Sequence, residues 1–182
     1  MKSISGSLPF YKMNIESHVI EIYTDGSGDP VSRLGCWAAI LFIGREKIIL
    51  EGSAEETTHQ RMELIAIIES LDHVQAKKIE SVINIYTDSQ YAMGLIERSV
   101  ELKKLKFRTV NNKEFRNEEL MRAFLERAER PDVSFFKLKA HQKVKDGNYN
   151  REVDLLVRKN LRQLVNSQTT GSSAGGREDA TL

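Results

Sequence analysis

Two short stretches of the chain end in nearly the same way. Residues 20–27 read IEIYTDGS, and residues 83–89 read INIYTDS. Apolar and β-branched residues alternate up to an acid in each stretch, Asp25 or Asp88, as expected of strands that end there. If the two strands are parallel neighbours, both acids lie at the carboxyl edge of the sheet, where α/β sheets bind their ligands. Because two close carboxylates repel each other unless a cation lies between them, the repeat predicts a metal site.

The rest of the pattern predicts an α/β fold with a mixed five-stranded sheet and helices on both faces. The first three strands, joined by turns, should form an antiparallel meander, whereas strands that follow helices should be parallel. Thr57 with Gln60 fits a capping box at the start of the first helix. The predicted strands cover 18–24, 36–43, 46–52, 82–87 and 133–139, and the predicted helices cover 58–74, 90–98, 117–128 and 151–165.

Length and composition indicate one folded domain at 17–165. We expect a flexible N-terminal extension at 1–16 and a disordered tail at 166–182, because the tail is rich in Ser, Thr and Gly. No stretch approaches the roughly 20 apolar residues that cross a bilayer, so we expect no membrane segment. The single cysteine, Cys36, excludes an internal disulfide and fits a cytoplasmic, reducing compartment. A net charge of +1 implies that any nucleic-acid binding depends on local basic patches.

Two further acids belong to predicted helices. Glu63 has small and apolar neighbours on its helix face, and Asp154 lies in the second turn of the last helix. All four acids could also have a purely structural role. Glu63 could pair with Arg61, and Asp154 could interact favourably with the helix dipole. The two strand acids, Asp25 and Asp88, could cap turns. Four carboxylates without a His/Cys cluster favour Mg²⁺ or Mn²⁺ over zinc. Two such ions about 3.5–4 Å apart can stabilise the attacking and leaving oxygens of a phosphoryl displacement.

Five strings in a fixed order resemble the ribonuclease HI (type 1 RNase H) family. Any one string is weak, but the ordered set spans nearly all of the predicted domain and is specific. The resemblance implies an RNase H-like fold. The strings are YTDGS at 23–27, TTHQRMEL at 57–64, YTDSQY at 86–91, KAH at 139–141 and NREVDLL at 150–156.

The resemblance implies a metal-dependent endonuclease that cuts the RNA strand of an RNA–DNA hybrid and leaves 5′-phosphate and 3′-hydroxyl ends. It implies two Mg²⁺ or Mn²⁺ ions held by Asp25, Glu63, Asp88 and Asp154, with His141 assisting proton transfer or product release. We expect a monomer. Three alternatives remain: a catalytically weak hybrid-binding module, an RNase H domain cut from a retroelement polyprotein, and a proofreading exonuclease. The exonuclease would need two acids one residue apart on the first strand, but Gly26 and Ser27 follow Asp25.

The resemblance also implies substrate contacts. The RNA ribose would meet the backbone of Gly26 and Ser27 and the side chains of His59 and Gln60, where an amide is more usual than His59. A pocket for a DNA-strand phosphate would use Thr58 and Asn117, but Glu56 stands where some relatives have an arginine. A basic protrusion at about 101–116, with Leu102 and Phe107 near the places of the usual tryptophans, would grip the hybrid through basic residues that include Lys103, Lys104 and Lys106.

Overall fold

The computed structural model describes residues 19–109, 111–138 and 149–171, with side chains up to 168. No helix in these ranges has the length and apolar character needed to span a membrane. The elements in chain order are β1 (Ile20–Gly28), β2 (Gly35–Ile43), β3 (Glu46–Ala54), α1 (His59–Ala76), β4 (Ile83–Thr87), α2 (Gln90–Glu97), α3 (Ser99–Lys104), α4 (Glu118–Ala128), β5 (Val133–Lys137) and α5 (Tyr149–Gly171).

The five strands form one mixed sheet in the order β3-β2-β1-β4-β5. The meander β1–β2–β3 is antiparallel, and β4 pairs in parallel with β1 on one side and β5 on the other. The predicted mixed sheet is therefore confirmed. Tyr23 of β1 is in register with Tyr86 of β4, so the two similar strand endings lie side by side at one edge of the sheet.

Helices cover both faces of the sheet. Ile22 and Tyr23 are consecutive in β1 and therefore point to opposite faces. Ile22 belongs to a core cluster that includes Leu64 and Ile67 of α1, together with side chains of α4. Tyr23 belongs to a smaller cluster that includes Val153 of α5. The helices that carry Glu63 and Asp154 are thus fixed to opposite faces of the same strand.

Three local details differ from the sequence prediction. The N-cap of α1 is Thr58, whose hydroxyl accepts a hydrogen bond from the Arg61 backbone N–H, and not Thr57. The helix predicted after β4 ends at Glu97, and a separate short helix, α3, follows. Helix α5 runs to Gly171, beyond the predicted end at Val165. Residues 166–171 of the predicted disordered tail are therefore helical, while 172–182 and the N-terminal extension at 1–16 lie outside the described residues.

Helix α1 lies unusually close to the end of β1. A Cβ atom built on Gly26 would come within 2.4 Å of the Glu63 backbone nitrogen and of the Met62 carbonyl carbon. These are backbone atoms, which cannot rotate out of the way as a flexible side chain can. The absence of a side chain at position 26 therefore sets the distance between β1, which carries Asp25, and the part of α1 that carries Glu63.

We predict that Gly26→Ala lowers the free energy of unfolding by about 1–3 kcal/mol, because the added methyl group overpacks this contact. Urea denaturation of the purified variant would measure the change. Gly94→Ala is a matched control, since only the Arg98 side chain lies near that position, at 3.9 Å. Alanine there should be neutral or stabilising because it favours the helix. Equal stability losses in the two variants would contradict the proposed close contact.

Candidate active site

The two strand acids lie at the carboxyl edge of the central strand pair. Asp25 is near the end of β1, opposite Ala38 of β2. Asp88 follows β4 directly and precedes Ser89, which caps α2 by accepting a hydrogen bond from the Ala92 N–H. Strand pairing and the following turn thus hold the two carboxylates at the same edge, and both line an open cleft of about 470 Å³.

The two helix acids line the same cleft. Glu63 comes from the first part of α1, and its residue is only 9% exposed. Asp154 comes from the start of α5, on the other face of the sheet. Four carboxylates that are far apart in the sequence therefore converge on one cavity. Their roles as metal ligands and catalytic groups stay predictions, and the shared cleft is the arrangement that these roles require.

Each helix acid is paired with a basic residue one turn away on its own helix. The Glu63 carboxylate lies 3.2 Å from the Nε2 atom of His59. The Asp154 carboxylate accepts a hydrogen bond of 2.7 Å from the Nε atom of Arg158. Arg61, the partner considered for Glu63 from the sequence, instead contacts Glu119.

Electrostatics in the cleft favour protonation of the strand acids. Burial, followed by the nearby charge of Asp88, raises the pKa of Asp25 from 3.8 to about 7. Partial desolvation, with further contributions from Glu63 and Asp154, also raises the pKa of Asp88. The hydrogen bond to Glu63 raises the pKa of His59. The cleft is therefore short of positive charge, the condition that a bound cation relieves.

The oxygen donors in the cleft are of the chemical type that suits a hard cation. No group of three or more His, Cys, Asp or Glu residues among the described residues is positioned to hold a metal ion as it stands. Glu63 is paired with His59 and Asp154 with Arg158, so each of these two carboxylates faces a basic partner. Carboxylate oxygens are nevertheless the ligands preferred by Mg²⁺ and Mn²⁺. The residues fit such ions if these two pairs open.

The predicted RNA-contacting residues also line the cleft. Gly26, Ser27, His59 and Gln60 surround the acids. The structure therefore brings together the two segments that the resemblance assigned to ribose recognition. Three more residues that sequence reasoning missed line this cleft: Gln90, Tyr91 and Arg158. The sequence could have indicated one of them, Arg158. It lies four residues after Asp154 on a predicted helix, and residues at that spacing are neighbours on the helix surface.

The residues expected to bind a DNA-strand phosphate contact other side chains of the protein. Asn117, the N-cap of α4, has a left-handed backbone with φ of 69°. Its side-chain oxygen accepts a hydrogen bond of 3.1 Å from Arg61, in the helical turn that Thr58 caps. Glu56 lies 2.7 Å from Arg33 in an exposed ion pair. Its negative charge is therefore balanced locally.

The basic protrusion contains both exposed and buried residues. Lys104 and Lys106 are exposed and form no ion pair with another described residue, whereas Lys103 pairs with Glu129. Leu102 and Phe107 are only 3% and 5% exposed and belong to the main core. Neither side chain is therefore exposed for stacking, which agrees with the expectation that stacking here is weaker than with tryptophans.

His141 lies outside the described residues, so its predicted part in catalysis stays a prediction.

We predict that Asp25→Asn stabilises the protein in EDTA at pH 8 by about 1–3 kcal/mol. An acid whose pKa is raised on folding costs stability as the pH rises from its ordinary value of 3.8 through about 7, because the unfolded chain loses the proton first. Urea denaturation at pH 5 and pH 8 would show a gain that is larger at pH 8. In the control Asp132→Asn, no such gain is expected, because Arg130 lowers the pKa of Asp132.

Comparison with known proteins supports one family. The family model for RNase H matches residues 17–162. A ribonuclease H from Chlorobium phaeovibrioides is 36% identical over 149 residues, which cover 79% of this chain and 96% of the relative. A ribonuclease H from Wolbachia pipientis wMel is 37% identical over 141 residues, or 76% of this chain and 92% of the relative.

Comparison with solved structures supports the same fold. The crystal structure of a type 1 RNase H with the type 2 active-site motif superposes with a TM-score of 0.65 at 18% sequence identity. The match covers 80% of this chain and 73% of that chain. Together with the family match over most of the sequence, this shows that the chain belongs to the ribonuclease H family of endoribonucleases.

Proposed function

We propose that this protein hydrolyses the RNA strand of RNA–DNA hybrids with the help of two divalent ions, Mg²⁺ or Mn²⁺. The observation that carries the proposal is the convergence of Asp25, Glu63, Asp88 and Asp154 on one open cleft. The RNase H family acts on RNA–DNA hybrids and generally depends on divalent metal ions. The same cleft is open to solvent and is lined by carboxylates, whose oxygens suit hard cations.

In the proposed mechanism the four acids hold the ions and thereby define where the RNA phosphate lies. The ions, when bound, supply Lewis-acid stabilisation of the attacking water and of the leaving 3′-oxygen. Asp25 and Asp88 give up any bound proton as positive charge arrives, because the cause of their raised pKa values is then reduced. Attack of water on phosphorus with departure of the 3′-oxygen leaves 5′-phosphate and 3′-hydroxyl ends. His141 remains our candidate for assisting proton transfer or product release.

Substrate discrimination is proposed to depend on the wall of the cleft formed by the end of β1 and the start of α1. A protein that selects a hybrid must sense the 2′-hydroxyl on one strand only. We assign these contacts to the backbone of Gly26 and Ser27 and the side chains of His59 and Gln60, because all four residues line the cleft. On the DNA strand, Thr58 and Asn117 are proposed to bind a phosphate. The ion pair of Glu56 with Arg33 weakens the objection that a like charge would repel it.

We further propose that the protein acts as a monomer in the cytoplasm. The exposed edge strand β3 carries Glu46, Lys47 and Glu51, and charges on an edge strand discourage pairing with a second copy. Cys36 is free and buried, which suits a reducing compartment.

We predict that Asp88→Asn abolishes cleavage of a labelled RNA–DNA hybrid in Mg²⁺. The rate should fall by about 10³-fold or more, as is typical when a charge that stabilises the transition state is removed. The variant should remain folded, because Asp88 is an exposed residue after β4. Gel electrophoresis of the products would also show whether the ends are 5′-phosphate and 3′-hydroxyl. RNA–RNA and DNA–DNA duplexes of the same sequence test substrate selectivity.

Asp132→Asn is the matched control for this experiment. Asp132 directly precedes β5, at the opposite edge of the sheet from the cleft, and its variant should cleave at close to the wild-type rate. Wild-type cleavage by Asp88→Asn would overturn the site assignment. Binding of the hybrid by the wild type without any product would favour the alternative of a catalytically weak hybrid-binding module.

We predict that Lys104→Gln and Lys106→Gln each weaken binding of the hybrid at low salt. Each should also reduce the slope of log affinity against log salt concentration by about one, because each removes one charge that neutralises a phosphate. Fluorescence anisotropy over a range of KCl concentrations would measure the slope. Lys78→Gln is the control: this exposed lysine lies just beyond the far end of α1 and should not change the slope. Unchanged slopes in the two protrusion variants would place the hybrid elsewhere.

A further inference from the structure

Arg158 is the only arginine or lysine among the described residues that line the acid cleft. It lies on α5, one turn after Asp154, and its side chain is 62% exposed. The contact between them is a single hydrogen bond of 2.7 Å from Nε to the Oδ1 atom of Asp154. The two Nη groups form no hydrogen bond with another described residue. Within the described part of the chain, most of the donor capacity of this guanidinium is therefore unused.

The ion pair and a metal ion compete for the same group. Asp154 is one of the four proposed metal ligands, and one of its two carboxylate oxygens is already held by Arg158. A cation placed near Asp154 repels the guanidinium and attracts the carboxylate, so both effects oppose the ion pair. Because the pair is exposed, its own contribution is small, within the range typical of surface salt bridges. Breaking the ion pair therefore costs little free energy.

A released Arg158 would be close to the proposed position of the RNA phosphate. Its planar guanidinium can donate two parallel hydrogen bonds to phosphate oxygens, a geometry that lysine cannot reproduce. The other basic side chain lining the cleft, His59, contacts Glu63 from the α1 side of the sheet. Arg158 reaches the cleft from the α5 side. Among the described residues that line the cleft, it is thus the one that can hold the RNA backbone from that direction.

We propose that Arg158 is a substrate-positioning residue that exchanges its carboxylate partner for an RNA phosphate when metal ions bind. In the metal-free protein it neutralises Asp154. When that carboxylate turns to a cation, the guanidinium binds the RNA strand next to the bond that is cut. This inference rests on the proposed function, and it adds a coupling between metal binding and substrate binding that is reciprocal by thermodynamic necessity.

If Arg158 exchanges Asp154 for an RNA phosphate, the Arg158→Gln variant should bind metal more tightly and the hybrid more weakly. Without nucleic acid, Arg158→Gln should bind Mn²⁺ about two- to fivefold more tightly in calorimetric titration, because a competitor for Asp154 is removed. In hybrid cleavage with Mg²⁺, the same variant should raise KM about three- to tenfold, because a phosphate contact is lost. The slope of log kcat/KM against log salt should fall by about one. Arg158→Lys should restore part of the KM effect but not all of it.

Arg162→Gln is the matched control, since Arg162 is an exposed arginine one turn further along α5 and does not line the cleft. It should change neither Mn²⁺ affinity nor KM. A purely structural role of Arg158 would weaken metal and hybrid binding together, and that result would overturn the inference. So would an Arg158→Gln variant that matches Arg162→Gln in both measurements. A wild-type protein that cuts no hybrid would instead overturn the proposed function, while the Mn²⁺ titration would still test the competition for Asp154.

Discussion

The parallel pairing of β1 with β4 is the constraint on which the rest of the site depends. It places Tyr23 beside Tyr86, and the acids that follow these tyrosines consequently meet at one edge of the sheet. Bringing two carboxylates together opposes folding, because each destabilises the charged form of the other. Hydrophobic burial on both faces of β1 offsets this cost. Ile22 packs towards α1, and Tyr23 packs towards α5.

Packing on both faces of β1 also positions the two helix acids, Glu63 and Asp154, at the cleft. α1 can approach the end of β1 closely because Gly26 has no side chain, and this brings Glu63 towards the strand acids. α5 lies on the other face through Val153 and Val157, so Asp154 enters from the opposite side. The core is therefore what determines the geometry of the cleft. A change in packing far from the acids can alter the site without touching it.

Local ion pairs balance part of the negative charge in the cleft. His59 and Arg158 partly balance the two helix acids, whereas Asp25 and Asp88 carry raised pKa values. The positive charge in the cleft is thus supplied by exposed side chains that can move. The exposed pair of Arg158 with Asp154 holds its partners weakly, so this carboxylate can still accept a hard cation, whereas Glu63 is largely buried beside His59.

The sequence by itself predicted the fold class and the mixed sheet, because strand alternation, strand endings and helix spacing are local patterns. The repeated strand ending also pointed to Asp25 and Asp88. Glu63 and Asp154 stood out only through the resemblance to a known family, and the tertiary structure brings all four acids to one cleft. It did not determine the burial of Leu102 and Phe107, the separate helix α3, or the partners of Glu63 and Asp154. Those features depend on which surfaces meet in three dimensions. Whether a side chain reaches solvent, core or another charge is decided only when distant segments pack together.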